Sequence, residues 1–317
     1  MSALRGKVTL VTGATGFIGA TVAGRLRAAG AIVHGVSRHA QPENGACDRW
    51  WQADFSDIGE VRAVVAAVEP DVVLHLAALV SGARGLDSVL PMLHANLLAA
   101  VNLLVATTER PVERLVLAGS LEEPPPDLAW AVPPSPYAAA KLGAGAYARM
   151  CHALYGTPAV CLRLSMVYGP AQPDLHKLVP YVTLSLLRGE APALSSGTRP
   201  VDWVYVEDVV EALLAAAVTD AAVGRTLDVG SGELVTVREV VERIARLVES
   251  GASPRFGAVP ERALEQVRVA NVAETAACLG WRAWTPLEEG LARTVDWYRR
   301  HGPQVSEALA SAKGEAS

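Results

Sequence analysis

The first half of the chain alternates short, continuous apolar runs with longer stretches in which apolar residues recur at helical spacing. Residues 7–11, 31–36, 71–76, 114–118 and 159–164 are runs without polar alternation, as in parallel strands buried on both faces. A further strand is expected around Trp50-Trp51. Phe17, Ile18, Val22 and Leu26 share one face of a first helix, and 60–68 and 86–108 also read as helices. Repeated strand–helix units predict an α/β fold with a doubly wound parallel sheet and right-handed crossovers. After residue 170 the rhythm breaks. Pro and Gly accumulate over 171–200, and 231–290 mixes short strands with helices. We therefore expect a large domain over 1–170 with return segments near 201–230. A smaller mixed lobe is expected from 171–200 and 231–305, and a flexible tail over 306–317.

Composition narrows the picture. With 317 residues, 51% of them apolar, the chain can bury a sizeable core. Lys+Arg 28 against Asp+Glu 33 gives a net charge of −5, which argues against nucleic acid as the main partner. No uninterrupted apolar run of membrane-spanning length is evident, so no membrane partner is expected. The first residues lack the apolar core of a signal peptide. Cys47, Cys151, Cys161 and Cys278 are scattered without a CxxC pair. That predicts neither a disulfide framework nor a metal site, and a cytoplasmic location.

The first strand runs into Gly13-Ala14-Thr15-Gly16-Phe17-Ile18-Gly19. Gly13 allows a tight turn, Gly16 lets the backbone approach a pyrophosphate, and Gly19 lets the helix pack close to the sheet. The helix N-terminus then offers unpaired N–H groups to the anion. About 20 residues further on, NAD sites carry a carboxylate for the ribose 2′-hydroxyl. Here Val36-Ser37-Arg38-His39 has none. Arg38 can pair with a 2′-phosphate and Ser37 can donate to it, so NADP(H) is the expected cofactor. Asp54 is expected either to accept from the adenine amino group or to cap its loop.

Tyr137 and Lys141 form YxxxK behind Ser135-Pro136, an N-cap followed by Pro at the first helical position. The pair therefore lies one turn apart on one helix face. A free phenol titrates near ~10 and is a poor acid–base catalyst at neutral pH. The neighbouring ammonium is expected to lower that pKa. Ser120 ends the fifth strand, where ligands of parallel sheets gather, and its hydroxyl is placed to hold a reacting oxygen. Glu122 and Glu123 follow it and read as an exposed loop pair beside three prolines. His94 reads as a dimer-face or core histidine, and His176 as a candidate ligand contact. Trp281 and Trp284 are expected to cover the lobe.

With these residues the chain resembles the extended short-chain dehydrogenase/reductases, the epimerase/dehydratase group, and within it the nucleotide-sugar 4-ketoreductases. Gly13 to Gly19, Ser120, Tyr137 and Lys141 carry the resemblance. His75-Leu76-Ala77-Ala78, Asn96, the Arg163 to Pro170 segment, Lys177-Leu178-Val179-Pro180, Asp202 to Asp208 and Leu287 to Leu291 extend it. The resemblance implies a Rossmann sheet, with Thr15, Phe17, Ile18, Phe55, Leu76, Ala77, Ala78, Leu164 and Val167 beside the cofactor. It also implies substrate contacts from Ser81, Lys177, Arg199 and Trp203, and a homodimer through a four-helix bundle from about 86–108 and 136–155. Two positions depart from the family: Met166 stands where it usually has Asn and Val201 where it has Arg, both diphosphate contacts. Leu121-Glu122 replaces the Asp-Glu pair of 4,6-dehydratases. The expected activity is NADPH-dependent reduction of the C4 ketone of a nucleotide-activated 4-keto-6-deoxyhexose. An epimerase with retained NAD(P), reduction of a polyketide-type ketone and a non-enzymatic cofactor sensor are the alternatives.

Overall fold

In the computed structural model residues 2–41, 45–124, 131–261 and 264–314 are described, 303–314 by backbone alone. In chain order the elements are β1 (Val8–Thr12), α1 (Phe17–Ala28), β2 (Ile32–Ser37), β3 (Arg49–Gln52), α2 (Ile58–Val68) and β4 (Val72–His75). Then follow α3 (Val89–Met92), α4 (Ala99–Glu109), β5 (Arg114–Ser120), α5 (Pro136–Tyr155), β6 (Ala159–Leu164), β7 (Met166–Tyr168) and α6 (Leu178–Leu187). The remainder is β8 (Pro200–Tyr205), α7 (Val206–Val218), β9 (Thr226–Val229), β10 (Leu234–Thr236), α8 (Val237–Val248), α9 (Val272–Leu279) and α10 (Leu287–Gly314).

Seven strands form one sheet in the order β3-β2-β1-β4-β5-β6-β9. Every pairing in it is parallel. The order reverses between β1 and β4, which opens a crevice at their carboxyl ends. The apolar runs are strands because both faces are covered. Val11, Leu74, Val116 and Leu162 pack under α1 and α7, while Leu10, Val73, Leu115 and Cys161 pack under α2, α4 and α5. Local signals set the helix ends. Asp57 accepts from Gly59 N and Glu60 N at the start of α2. Ser135 accepts from Ala138 N and Pro136 opens α5, which stops at Gly156 with φ 71°.

The smaller sheet has the order β10-β8-β7, and β8 pairs antiparallel with β10 and parallel with β7. The segments near 201–230 are expected to return to the large domain, and β8 opens that stretch. It joins the lobe instead, because Val201, Trp203 and Tyr205 point into the lobe core with Val182, Leu186, Val240 and Ile244. The chain returns to the large domain as α7 and β9. Helix α10 runs to Gly314, through most of the segment read as a tail. That stretch is rich in Ala, the strongest helix former.

One helical run, Leu86–Glu109, is long and apolar enough to cross a membrane by length and composition, contrary to the sequence reading. Its apolarity has a local use. Ala99, Ala100, Leu103 and Leu104 are buried against the sheet face shared with α2 and α5. Between α3 and α4 the run loosens into a π-helical turn, Leu93–Leu98. There the buried Asn96 side chain accepts from Leu79 N (2.8 Å) and donates to Leu79 O (3.0 Å), tying the helix to the segment after β4.

Candidate active site

The turn between β1 and α1 is built for glycine. Gly13 has φ 71°, and a Cβ there would meet Ala77 N at 2.7 Å. A Cβ on Gly19 would lie 2.0 Å from Gly13 O, and Gly16 N donates to Gly13 O at 2.9 Å. Helix α1 starts behind Gly16 with no side-chain cap, so its first-turn N–H groups are left for an anion. This cradle fits a dinucleotide pyrophosphate, and a methyl on Gly13 or Gly19 would force the turn to move. Behind it, Thr12 Oγ1 bonds His75 Nδ1 (2.8 Å) and accepts from Ala77 N (3.1 Å), which fixes the close approach of the two strand ends.

A cleft of about 380 Å³ leads from this cradle towards the lobe. Gly13, Gly16, Phe17, Ile18 and Gly19 line one end, with Leu76, Ala78, Leu164 and Val167 beside them. Ser120, Tyr137 and Lys141 line the middle. Thr15, Ser37, Arg38, Asp54 and Ala77 lie outside this lining. Arg38 is exposed at the end of β2. Ser37 Oγ accepts from His39 N at 3.2 Å. Asp54 Oδ1 accepts from Ser56 N and Ser56 Oγ, and these bonds hold its pKa below the usual range. Phe55 departs from expectation, because its ring is buried in the core beside Val61, Val64 and Leu103.

The catalytic candidates converge at the end of β5. Lys141 is buried, and its Nζ donates to Ala118 O at 2.8 Å and lies 5.9 Å from the Tyr137 ring centroid. Burial brings its pKa down to about 8, with Glu123 acting in the opposite direction. The Tyr137 phenol does not behave as the spacing suggested. Burial pushes its pKa well above the ordinary value, the Glu122 carboxylate adds to this, and a hydrogen bond with Ser120 only partly offsets it. Without a bound cofactor, Tyr137 therefore keeps its proton at neutral pH. Ser120 Oγ accepts from Glu122 N at 3.1 Å.

The Glu pair also divides differently from its sequence reading. Glu122 is exposed and lines the cleft. Glu123 is only 4% exposed, and its Oε1 accepts from Ser120 N at 2.7 Å. The backbone amide at the strand end draws the carboxylate inward. Pro125 and Pro126 lie outside the described residues.

At the lobe end, Met166 and Val201 line the cleft and offer neither a charge nor a strong donor. Arg199 reaches the same wall, its Nε 2.8 Å from Glu265 Oε2, and Lys177 sits there as the N-cap residue of α6. Arg84 and Arg268 also line the cleft. Both stand in irregular segments without periodicity, so no sequence signal pointed to them. Ser81 lies beside the lining, its Oγ accepting from Ala83 N. Trp203 is a correction: its indole is buried in the lobe core and donates to Val235 O at 3.0 Å, away from the cleft. Trp281 likewise packs in the large-domain core and donates to Asp208 O. Trp284 is 53% exposed. His176 is exposed and outside the cleft lining, and His94 is exposed on the π-helical turn.

Comparison with known proteins agrees with this architecture. Residues 9–230 match the NAD dependent epimerase/dehydratase family. The chain is 32% identical over 315 residues to the UDP-glucose 4-epimerase of Mycolicibacterium smegmatis, covering 92% of this chain and 98% of that protein. It is 28% identical over 330 residues to the dTDP-glucose 4,6-dehydratase of Neisseria meningitidis serogroup B, covering 91% and 92%. The solved Thermus thermophilus UDP-glucose 4-epimerase in complex with NAD superposes with a TM-score of 0.81 at 30% identity, covering 92% and 98%. These relatives are epimerases and a dehydratase rather than 4-ketoreductases.

Proposed function

Given that this chain belongs to the NAD-dependent epimerase/dehydratase family, we propose that it is an NADPH-dependent reductase of a nucleotide-sugar ketone, the C4 carbonyl of a 4-keto-6-deoxyhexose. The observation that carries this reading is the end of β2. There Ser37-Arg38 presents a guanidinium and no carboxylate where a 2′-hydroxyl would be gripped. An exchangeable NADPH supports net reduction, whereas an epimerase returns its hydride to the same substrate.

The glycine cradle and the α1 N-terminus would hold the dinucleotide, which supplies hydride chemistry when bound. The chain's own groups handle the proton and the oxygen. Tyr137, protonated at neutral pH, donates its proton to the carbonyl oxygen as that oxygen gains charge. Ser120 orients the same oxygen, and Lys141, fixed on Ala118 O, is placed to hold a ribose hydroxyl. Leu121 stands where a dehydratase needs its acid, which disfavours elimination. Lys177, Arg199 and Arg268 supply positive charge for a diphosphate at the lobe end. The exposed Leu86, Leu90, Leu154 and Tyr155 support a homodimer packed through these helices.

A second reading, epimerisation with retained NAD, is favoured by the relatives named above. The test is to incubate purified protein with NADPH and a panel of nucleotide 4-keto-6-deoxyhexoses. Reductase activity consumes NADPH in proportion to ketone. Tightly co-purified NAD, interconversion of UDP-hexoses and no net oxidation would instead establish the epimerase.

A further inference from the structure

Glu123 is the buried acid that the proposed chemistry does not use. It is 4% exposed and seated between β5 and α5. The seat needs the glycine of β5 and borders one of α5. A Cβ on Gly119 would come within 2.8 Å of Glu123 Oε1, and a Cβ on Gly145 would stand 3.9 Å from Oε2. Oε1 also accepts from Ser120 N at 2.7 Å. Beside the carboxylate is a small pocket of about 10 Å³, lined by His75, Asn96, Glu123, Lys141, Cys161 and Arg163 among others. That volume has room for about one water.

The charges around this seat decide what Glu123 faces. From β4, His75 is buried and kept neutral, its pKa pushed down to about 3 by burial, and its Nε2 has no partner. From β6, burial pushes Cys161 up to about 12, so it is a neutral thiol. Also from β6, the Arg163 guanidinium is already paired with Asp228 at 2.7 Å. From the loop beyond α8, Arg268 donates to the Glu123 carbonyl oxygen; burial pushes the Glu123 carboxyl up, while Ser120 N and the charges of Arg163, Lys141 and Arg268 act in the opposite direction and favour the carboxylate. From α5 come Lys141, Tyr137 and, beside Gly145, Arg149. Glu122 stands on the cleft side of the same turn. Lys141 is the ammonium in this cavity, and Glu123 is the carboxylate that lines it with Lys141.

We propose that Glu123 is a positioning residue for the Tyr137–Lys141 pair, fixing the Ser120 end of β5 and supplying the counter-charge that keeps buried Lys141 an ammonium. The proposal rests on the reading of Tyr137 and Lys141 as the acid–base centre. It adds a third group, reached from behind the sheet, that sets the pH range in which the pair works. Loss of the Glu123 charge destabilises the ammonium of Lys141 and, by removing a nearby negative charge, favours the Tyr137 phenolate. Both effects move the working range towards acid.

The test is Glu123→Gln, which keeps an oxygen acceptor for Ser120 N and removes the charge. The chain has four lysines, Lys7, Lys141, Lys177 and Lys313. Lysine ¹³Cε NMR therefore follows Lys141 directly in the cofactor-free protein, with Lys141→Arg fixing its assignment. The expected result is a Lys141 titration lowered by about one pH unit with the Lys7 and Lys177 signals unmoved. The alkaline limb of kcat/KM should fall to lower pH by the same amount. Glu123→Asp, which retains the charge, should bring the Lys141 midpoint back towards wild type, and Glu123→Met, similar in volume and uncharged, replaces Glu123→Gln with the same expected and overturning results if that variant does not fold. A Lys141 midpoint that is the same in Glu123→Gln and wild type, with or without loss of activity, overturns the proposal. If the midpoint moves but neither protein turns over a nucleotide-sugar ketone, the assigned reaction fails and the role of Glu123 stands.

Discussion

At the dinucleotide end of the cleft the contacts are backbone. Gly13 and Gly19 stand at distances at which no side chain fits, down to 2.0 Å for a Cβ on Gly19. Along the rest of the cleft the cations are long side chains, Lys177, Arg199 and Arg268, on three separate segments. The two ends differ in how they tolerate change. A backbone cradle has one solution, because the donors are fixed by the turn itself. A cationic wall has several, because a guanidinium on a flexible stem reaches one point from more than one backbone position. That is how Met166 and Val201 can stand in the cleft wall while positive charge remains nearby.

Between the two ends lie Ser120, Tyr137 and Lys141, and the largest effect is expected there. Tyr137→Phe should lower turnover by ~10²–10⁴ while dinucleotide affinity stays near wild type. Retained activity would show that another group supplies the proton. At the backbone end, Gly19→Ala should weaken dinucleotide binding by roughly 10- to 100-fold, since the turn must move to admit the methyl group. Isothermal titration would show this, and unchanged affinity would mean that the cradle is not the pyrophosphate site.

Arg38→Ala should weaken NADPH by roughly tenfold, the scale of one charge-assisted hydrogen bond, and leave NADH nearly untouched. Equal losses for both would remove the 2′-phosphate role. The smallest effect belongs to the side-chain end. Arg199→Ala should raise KM for a nucleotide sugar by about three- to tenfold with little change in kcat, because diphosphate contacts serve ground and transition states alike. Neighbouring cations soften that loss. A fall in kcat instead of a rise in KM would place Arg199 at the reacting sugar and sharpen the contrast between the two ends.

The same contrast explains which parts of the site the sequence disclosed. The glycine loop, YxxxK and the strand-end Ser120 are local patterns whose spacing is the geometry. The later landmarks were visible as resemblances, but their work is structural. Asp202 accepts from Ser231 N, Gly232 N and Ala270 N and so ties β8 to two later loops. Asp208 holds Thr285. Gly290 makes room for the Tyr168 hydroxyl. Arg84 and Arg268 were not legible, because an arginine in an irregular segment carries no mark of the wall it reaches.

Sequence by itself determined the large parallel sheet, since unbroken apolar runs between amphipathic helices fit little else. It also determined the cradle and the one-turn spacing of Tyr137 and Lys141, which follow from backbone rules acting over a few residues. Tertiary structure decided the electrostatics. Tyr137 keeps its proton, Lys141 falls to about 8 and Glu123 turns inward because of burial and of groups brought together from α5, β6 and the end of β5. It also decided that Trp203 and β8 belong to the lobe core. These outcomes depend on desolvation and on partners distant in sequence, and both exist only once the chain has folded.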